Sequence, residues 1–88
     1  MKVRFDKKFL KDIRKIKSNE LKQRITNCID SVRNAQTLSE IVGIERMKGY
    51  KTYFKIRIGD YRIGLEIDGD NVDFIRVLNR KDIYRMFP

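Results

Sequence analysis

The spacing of apolar residues changes at about position 53 of this 88-residue chain. Before that position, apolar side chains recur every three or four residues, which is the period of an amphipathic helix. After it they alternate with polar side chains, which is the period of a strand. A chain whose helices precede strands that can pair in order is typical of an α+β fold.

Two helices are predicted in the first half. Asp6 can cap the first, and Ser18 and Asn19 offer a cap for the second. Each helix has one apolar stripe, formed by Phe9, Leu10, Ile13 and Ile16 and then by Leu21, Ile25, Cys28, Ile29 and Val32. The two helices predict a helical hairpin, with Cys28 as a thiol in its core.

Three strands are predicted in the second half, after a short alternating segment at residues 2–5. They run over about residues 53–58, 61–67 and 72–78, separated by Gly59-Asp60 and by Asp68 to Asn71. The expected order is β-α-α-β-β-β, an N-terminal helical hairpin packed on a small, mainly antiparallel twisted sheet. We expect residues 1–88 to form a single domain, because so short a chain cannot bury two cores.

Charge and composition narrow the function classes. Lys and Arg number 21 against 12 Asp and Glu, a formal charge of +9, which favours a polyanionic partner. The absence of His and the single Cys exclude an internal disulfide and a His-based catalytic triad, and we expect no metal and no cofactor. No apolar run approaches the roughly 20 residues of a membrane span, so we expect a cytoplasmic protein with no membrane partner.

A hairpin around Gly59-Asp60 would have one face on which like charges oppose each other. A two-residue turn there places Arg57 directly opposite Arg62 and Lys55 opposite Gly64. Opposed like charges destabilise a strand pair by several tenths of a kcal/mol, and Gly within a strand costs roughly 0.5–1 kcal/mol. We interpret the three cations as walls of a phosphodiester site with Gly64 as its floor; the alternative is a basic face that only serves solubility.

Further cations flank this face. Lys48 and Lys51 precede the hairpin, Lys81 and Arg85 follow the last strand, and all four are predicted to bind RNA. The helices add more basic residues, which could track a nucleic-acid backbone or could simply form the solvated sides of the helices: Lys7, Lys8, Lys11, Arg14, Lys15, Lys17, Lys22 and Arg24.

Three segments taken together resemble the RelE group of the RelE/ParE toxin superfamily. They are Tyr53-Phe54-Lys55-Ile56-Arg57, Gly59-Asp60-Tyr61-Arg62-Ile63 and Val77 to Arg85, and the preceding helical hairpin fits the same family. The stretch from Leu38 to Gly49 resembles the family's linker. The resemblance covers nearly the whole chain and implies a toxin of a type II toxin–antitoxin system.

The activity that the resemblance implies is cleavage of mRNA in the ribosomal A site, which inhibits translation. Such toxins act as endoribonucleases without a metal, by attack of the ribose 2′-hydroxyl on the adjacent phosphate. The implied partners are the ribosome, mRNA and a cognate acidic antitoxin.

The resemblance assigns catalytic roles to Lys55, Arg57, Arg62, Arg80 and Tyr84. Lys55 is the better candidate base, because cationic neighbours favour its neutral form whereas Arg stays protonated. Arg57 and Arg62 would clamp phosphate, and Arg80 would stabilise or protonate the leaving oxygen. Tyr84 could stack on a base or orient the nucleophile; the alternative is an aromatic side chain packed on the sheet edge.

Two points of this assignment stay open. Lys81 competes with Arg80 for the later basic position. Asn79 stands where relatives with an efficient acid/base pair often have His, so we expect poor activity away from the ribosome. Two other functions also remain: a ParE-like gyrase inhibitor, and a non-catalytic RNA-binding or ribosome-binding module.

Overall fold

The computed structural model describes residues 1–88, which form a five-stranded sheet, three α-helices and one short 3₁₀ turn. In chain order the elements are β1 (Lys2–Phe5), α1 (Lys7–Lys15), α2 (Asn19–Asn34), the 3₁₀ turn (Leu38–Glu40), β2 (Ile44–Arg46), β3 (Tyr53–Ile58), β4 (Tyr61–Asp68), β5 (Asn71–Asn79) and α3 (Arg80–Met86). The predicted α+β fold is confirmed. The sequence pattern missed the short strand β2 and the helix α3.

Both predicted helix starts are confirmed by side-chain caps. The Asp6 carboxylate accepts a hydrogen bond from the Lys8 backbone N–H at 2.8 Å, and the Ser18 hydroxyl accepts one from the Leu21 N–H at 3.1 Å. These bonds satisfy N–H groups that have no partner within the helix. One position of the stripe was wrong, because Leu10 is 42% exposed.

The sheet has the order β1-β5-β4-β3-β2, and only the β1–β5 pair is parallel. The predicted hairpin register is confirmed: Arg57 lies opposite Arg62, and Lys55 lies opposite Gly64. The two-residue turn needs a left-handed residue, which Gly59 supplies with φ +56°. The basic residues of β3 and β4 therefore lie side by side on one face.

The two faces of the sheet bury different apolar clusters. On one face α1 and α2 cover the main core, which includes alternate residues of β3 and β4: Phe54, Ile56, Ile58, Ile63, Leu65 and Ile67. On the other, α3 covers a small second cluster of Met47, Ile83 and Phe87, packed against Tyr53, Ile75 and Leu78. The second cluster brings α3 beside the basic residues.

A buried ion pair joins α1 to β5. The Asp12 carboxylate accepts hydrogen bonds from Arg76 Nε at 2.8 Å and Nη2 at 3.0 Å, and from the Val77 backbone N–H at 3.1 Å. The hydrogen bonds that Arg76 donates to Asp12 raise the pKa of Arg76 above its ordinary value. Asp12 is the one buried charged residue, and the arrangement satisfies the rule that buried charges must be paired.

Candidate functional site

A surface cleft of about 290 Å³ lies where β3 and β4 meet β2 and α3. Six residues line it, four of which are predicted catalytic residues: Gly43, Glu45, Lys55, Arg57, Arg62 and Tyr84. The antiparallel register brings Lys55 and Arg57 onto the same face as Arg62, because alternate residues of a strand share a face. The fold thus assembles most of the site that the sequence predicts.

Tyr84 reaches the cleft from α3 and contacts Lys55. The Lys55 ammonium donates a hydrogen bond to the Tyr84 hydroxyl, and Lys55 Nζ also lies 4.4 Å from the centroid of the Tyr84 ring. Tyr84 is 63% exposed, which argues against the alternative of an aromatic side chain packed on the sheet edge. Its ring is open to a base or to the ribose of a bound nucleotide.

Arg62 is held in place by the backbone of the hairpin turn. Its Nη1 donates to the Gly59 carbonyl at 2.8 Å and to the Tyr61 carbonyl at 2.9 Å. No protein group accepts from Nε or Nη2, so two edges of the guanidinium can still bind a phosphate oxygen. Arg62 is thus oriented without being neutralised.

None of the cleft cations forms an ion pair with a carboxylate. The five ion pairs of the molecule involve Arg4, Arg33, Arg76, Arg85 and the N-terminal amine, and none involves Lys55, Arg57 or Arg62. Three neighbouring cations that have no ion-pair partner create a local positive potential. A phosphate group in the cleft would reduce that repulsion.

Glu45 is a cleft residue that the sequence analysis missed. It lies on β2 directly opposite Lys55, so the cleft contains one exposed carboxylate among its cations. Strand β2 has three residues, too few for an alternating pattern to be recognised. The only signal in the sequence was the acidic residue at the edge of an otherwise basic stretch.

The expected role of Gly64 is corrected by the structure. A Cβ atom at Gly64 would lie 2.7–2.8 Å from three ring atoms of Phe87, so the ring covers this position. Gly64 is buried and cannot be an open floor for a phosphodiester. Its missing side chain instead makes room for an aromatic residue from the end of the chain.

The remaining predicted residues do not line the cleft. Arg80 and Lys81 are exposed at the start of α3, and neither lines the cleft. Lys48 lines a neighbouring groove that shares Glu45, Lys55 and Tyr84 with the cleft. The other two predicted RNA-binding residues are also exposed: Lys51, and Arg85, which forms an ion pair with Asp82 at 2.8 Å.

Cys28, the only cysteine, is half-buried and lines a groove beside α2 that shares Arg57 with the cleft. Burial raises the pKa of its thiol to about 11. No cluster of three or more His, Cys, Asp or Glu side chains could hold a metal ion. None of the three α-helices has the length and apolar character needed to span a membrane.

Comparison with known proteins identifies the family of this chain. Residues 3–84 match the family described as ParE toxin of type II toxin–antitoxin system, parDE. Over the full length of both proteins, the chain is 43% identical to Toxin RelE3 of Methanocaldococcus jannaschii. The chain therefore belongs to the RelE group of the RelE/ParE toxin superfamily and is a toxin of a type II toxin–antitoxin system.

Solved structures show the same fold. The chain superposes on a protein of the RelB–RelE antitoxin–toxin complex from Methanococcus jannaschii with a TM-score of 0.80 and 40% identity, covering 96% of this chain and 98% of the other. It superposes on YafQ of E. coli with a TM-score of 0.63 and 18% identity, covering 93% and 96%. The second likeness extends to the fold alone.

Proposed function

We propose that this toxin is a ribosome-dependent endoribonuclease that cleaves mRNA in the ribosomal A site and so inhibits translation. The observation that supports this proposal is the cleft, in which Lys55, Arg57 and Arg62 lie together without ion-pair partners and Tyr84 contacts the lysine. Cations and an exposed aromatic ring are the groups that bind a phosphate and an unstacked nucleotide.

The proposed reaction is a transesterification that needs no metal. The ribose 2′-oxygen attacks the adjacent phosphorus, the bond to the 5′-oxygen breaks, and the products are a cyclic phosphate and a 5′-hydroxyl. Negative charge increases on the nonbridging oxygens in the transition state, so preorganised cations lower the barrier. Arg57 and Arg62 would bind these oxygens, and Arg62 is already oriented for it by the turn carbonyls.

Two cleft residues could accept the proton of the 2′-hydroxyl. Lys55 is the proposed base, since its amine lies in the cleft with Arg57 and Arg62 and contacts the Tyr84 hydroxyl. Glu45, directly opposite on β2, is a second candidate because a carboxylate is an acceptor without prior deprotonation of an amine. The pH dependence of the saturated cleavage rate in Glu45→Gln and Lys55→Ala separates them, because loss of the base removes the limb of the profile that the base produces.

The later cations are proposed to act on the other side of the scissile bond. Arg80 would stabilise or protonate the 5′-oxygen, with Lys81 as the alternative, and Lys48, Lys51 and Arg85 would bind the RNA backbone. Both Arg80 and Lys81 are exposed at the start of α3, the helix that carries Tyr84. The ribosome could hold the mRNA so that its scissile phosphate reaches them, which is consistent with the expected poor activity on free RNA.

The deciding experiment adds the purified protein to translating ribosomes and maps the 5′ ends of the mRNA. We expect new ends at codon-linked positions that depend on ribosomes. Intact mRNA together with gyrase trapped on DNA would identify a ParE-like gyrase inhibitor instead. Ribosome binding without either effect would identify a non-catalytic module.

The same proposal predicts the effect of the protein in cells. Expression without a partner should arrest growth by depleting mRNA in the cytoplasm, where ribosomes and mRNA are found. Growth arrest with a normal mRNA half-life would contradict it. Arg62→Ala is the control, because it should remove the arrest while the protein accumulates to the same level.

We also propose a cognate acidic antitoxin that covers the basic face or displaces the Tyr84 segment. The formal charge of +9 favours a neutralising partner, and the M. jannaschii relative is found in an antitoxin–toxin complex. Co-expression with the neighbouring gene should recover the partner. A basic partner, or one that binds the acidic turn at Asp68 and Asp70 and leaves the cleft open, would contradict this proposal.

A further inference from the structure

The position of Tyr84 is not fixed by its own packing. Its side chain is 63% exposed, and its hydrogen bond and its cation–ring contact are both with the flexible side chain of Lys55. It lies on α3, whose seven residues are far fewer than the roughly 12–15 that an isolated helix needs to be even marginally stable. Whatever docks α3 on the sheet therefore also places the Tyr84 hydroxyl.

The docking depends on the residues on either side of Tyr84. Ile83 is fully buried and Phe87 is 3% exposed, and with Met47 they form the small cluster under α3. The Phe87 N–H donates to the Ile83 carbonyl at 2.9 Å, so the last turn continues into the anchored ring. The Phe87 ring also packs edge-on against Tyr53, with centroids 5.6 Å apart.

The Phe87 ring lies on the one strand position without a side chain. Three of its atoms are within 2.8 Å of the place where a Cβ of Gly64 would be. Gly64 is also the cross-strand partner of Lys55. The ring that anchors α3 is therefore seated directly beside the residue that Tyr84 contacts.

We propose that packing of the Phe87 ring on Gly64 positions Tyr84 over Lys55. Phe87 is then a positioning residue for cleavage. The inference rests on the proposed function, because it concerns the same cleft. It gives a physical reason for Gly within a strand, where it otherwise weakens the sheet. Any side chain at position 64 would displace the ring and move Tyr84 with it.

The test is the single-turnover cleavage rate on programmed ribosomes at saturating toxin. We expect Phe87→Ala and Gly64→Ala each to lower this rate by roughly 10- to 100-fold, since misplacement by about 1 Å can cost that much. The apparent affinity for ribosomes should change little. Met86→Ala is the matched control on the same helix, because Met86 is 45% exposed and lies outside the cluster.

A double-mutant cycle separates positioning from loss of structure. In a Tyr84→Ala background, Phe87→Ala should lower the rate by less than twofold further, because there is no longer a side chain to position. A purely structural role would give the same loss in both backgrounds, and that result would overturn the inference. Should Phe87→Ala fail to fold, Phe87→Leu carries the same comparison.

A second readout does not depend on cleavage. The ring resonances of Tyr84 should move toward those of a free tyrosine in Phe87→Ala and Gly64→Ala, and should stay as in the wild type in Met86→Ala. If the wild-type protein cuts no mRNA, the proposed function fails while these resonances still test the positioning. Unchanged Tyr84 resonances in both Phe87→Ala and Gly64→Ala would overturn the proposal that the Phe87 ring positions Tyr84.

Discussion

Two arginines on neighbouring strands of the sheet differ in whether a carboxylate pairs with them. Arg76 on β5 is 13% exposed and donates two hydrogen bonds to the Asp12 carboxylate, which itself is 5% exposed. Arg62 on β4 is half-buried, donates only to two backbone carbonyls and meets no carboxylate. Arg76 is neutralised within the fold, and Arg62 is only oriented by it.

The difference separates the charges that hold the fold from those available to a ligand. A buried charge without a partner costs several kcal/mol, so Arg76 could not lie under α1 without Asp12. The cations of the cleft reach solvent, so they can remain unpaired at a modest cost from mutual repulsion. Removing a group of each kind should therefore have opposite consequences for stability and activity.

The largest expected effect concerns the unpaired cations. Lys55→Ala and Arg62→Ala should lower the saturated cleavage rate by about two to four orders of magnitude, because each removes transition-state stabilisation or proton transfer. The free energy of unfolding in urea should change by less than about 1 kcal/mol. Arg57→Ala should behave alike, with Lys2→Ala on β1 as a control, because Lys2 is exposed and lies outside the cleft. If Lys55→Ala and Arg62→Ala cleave at the wild-type rate at saturation, the cleft is only a docking surface.

The paired charge should behave in the reverse way. Asp12→Ala leaves the half-buried Arg76 guanidinium without its carboxylate and should lower the free energy of unfolding by about 3 kcal/mol. The saturated rate of the protein that remains folded should be unchanged. Asp73→Ala is the matched control, because its partner Arg4 is 69% exposed and surface pairs contribute at most about 1 kcal/mol. Equal losses in the two variants would contradict the distinction.

The cysteine reports how well the helix-covered face excludes water. Burial raises the pKa of the Cys28 thiol to about 11, so its alkylation by iodoacetamide should be half-maximal near that pH in the folded protein. In urea the midpoint should fall to about the ordinary value of 9.0. Because the raised pKa favours the neutral thiol in the folded state, its contribution to stability is full below pH 9 and is lost as the pH rises toward 11. A folded-state midpoint near 9 would contradict the burial.

The smallest effect is expected at the helix lysines. Replacing Lys7, Lys8 or Lys11 by Ala should weaken ribosome binding a few-fold and reduce the slope of log affinity against log salt by about one, through counterion release. The saturated cleavage rate should stay as in the wild type. An unchanged slope in all three variants would show that these lysines only form the solvated side of α1.

The central hairpin could be predicted because its determinants are local. Alternation of apolar residues defined which face of β3 and β4 is buried, and the two-residue turn at Gly59-Asp60 defined the register. Once the register is known, Arg57 must face Arg62, whatever else the chain does. The candidate cations on these two strands therefore followed from the sequence.

The elements that complete the cleft carried too little local signal. Strand β2 has three residues and α3 has seven, and each is ordered by tertiary contacts that a periodicity cannot show. Glu45 on β2 was missed for this reason. The position of Tyr84 relative to Lys55 likewise depends on where α3 docks.

By itself the sequence determined the helical caps, the buried strand face and the opposed arginines, because each depends on residues a few positions apart. Only the tertiary structure decided that Asp12 neutralises Arg76, 64 residues away, and that Phe87 occupies the space above Gly64. The physical reason is that these contacts form when separate elements pack together. Composition and periodicity describe each element alone. Which charged residues stay unpaired depends on which elements pack against each other.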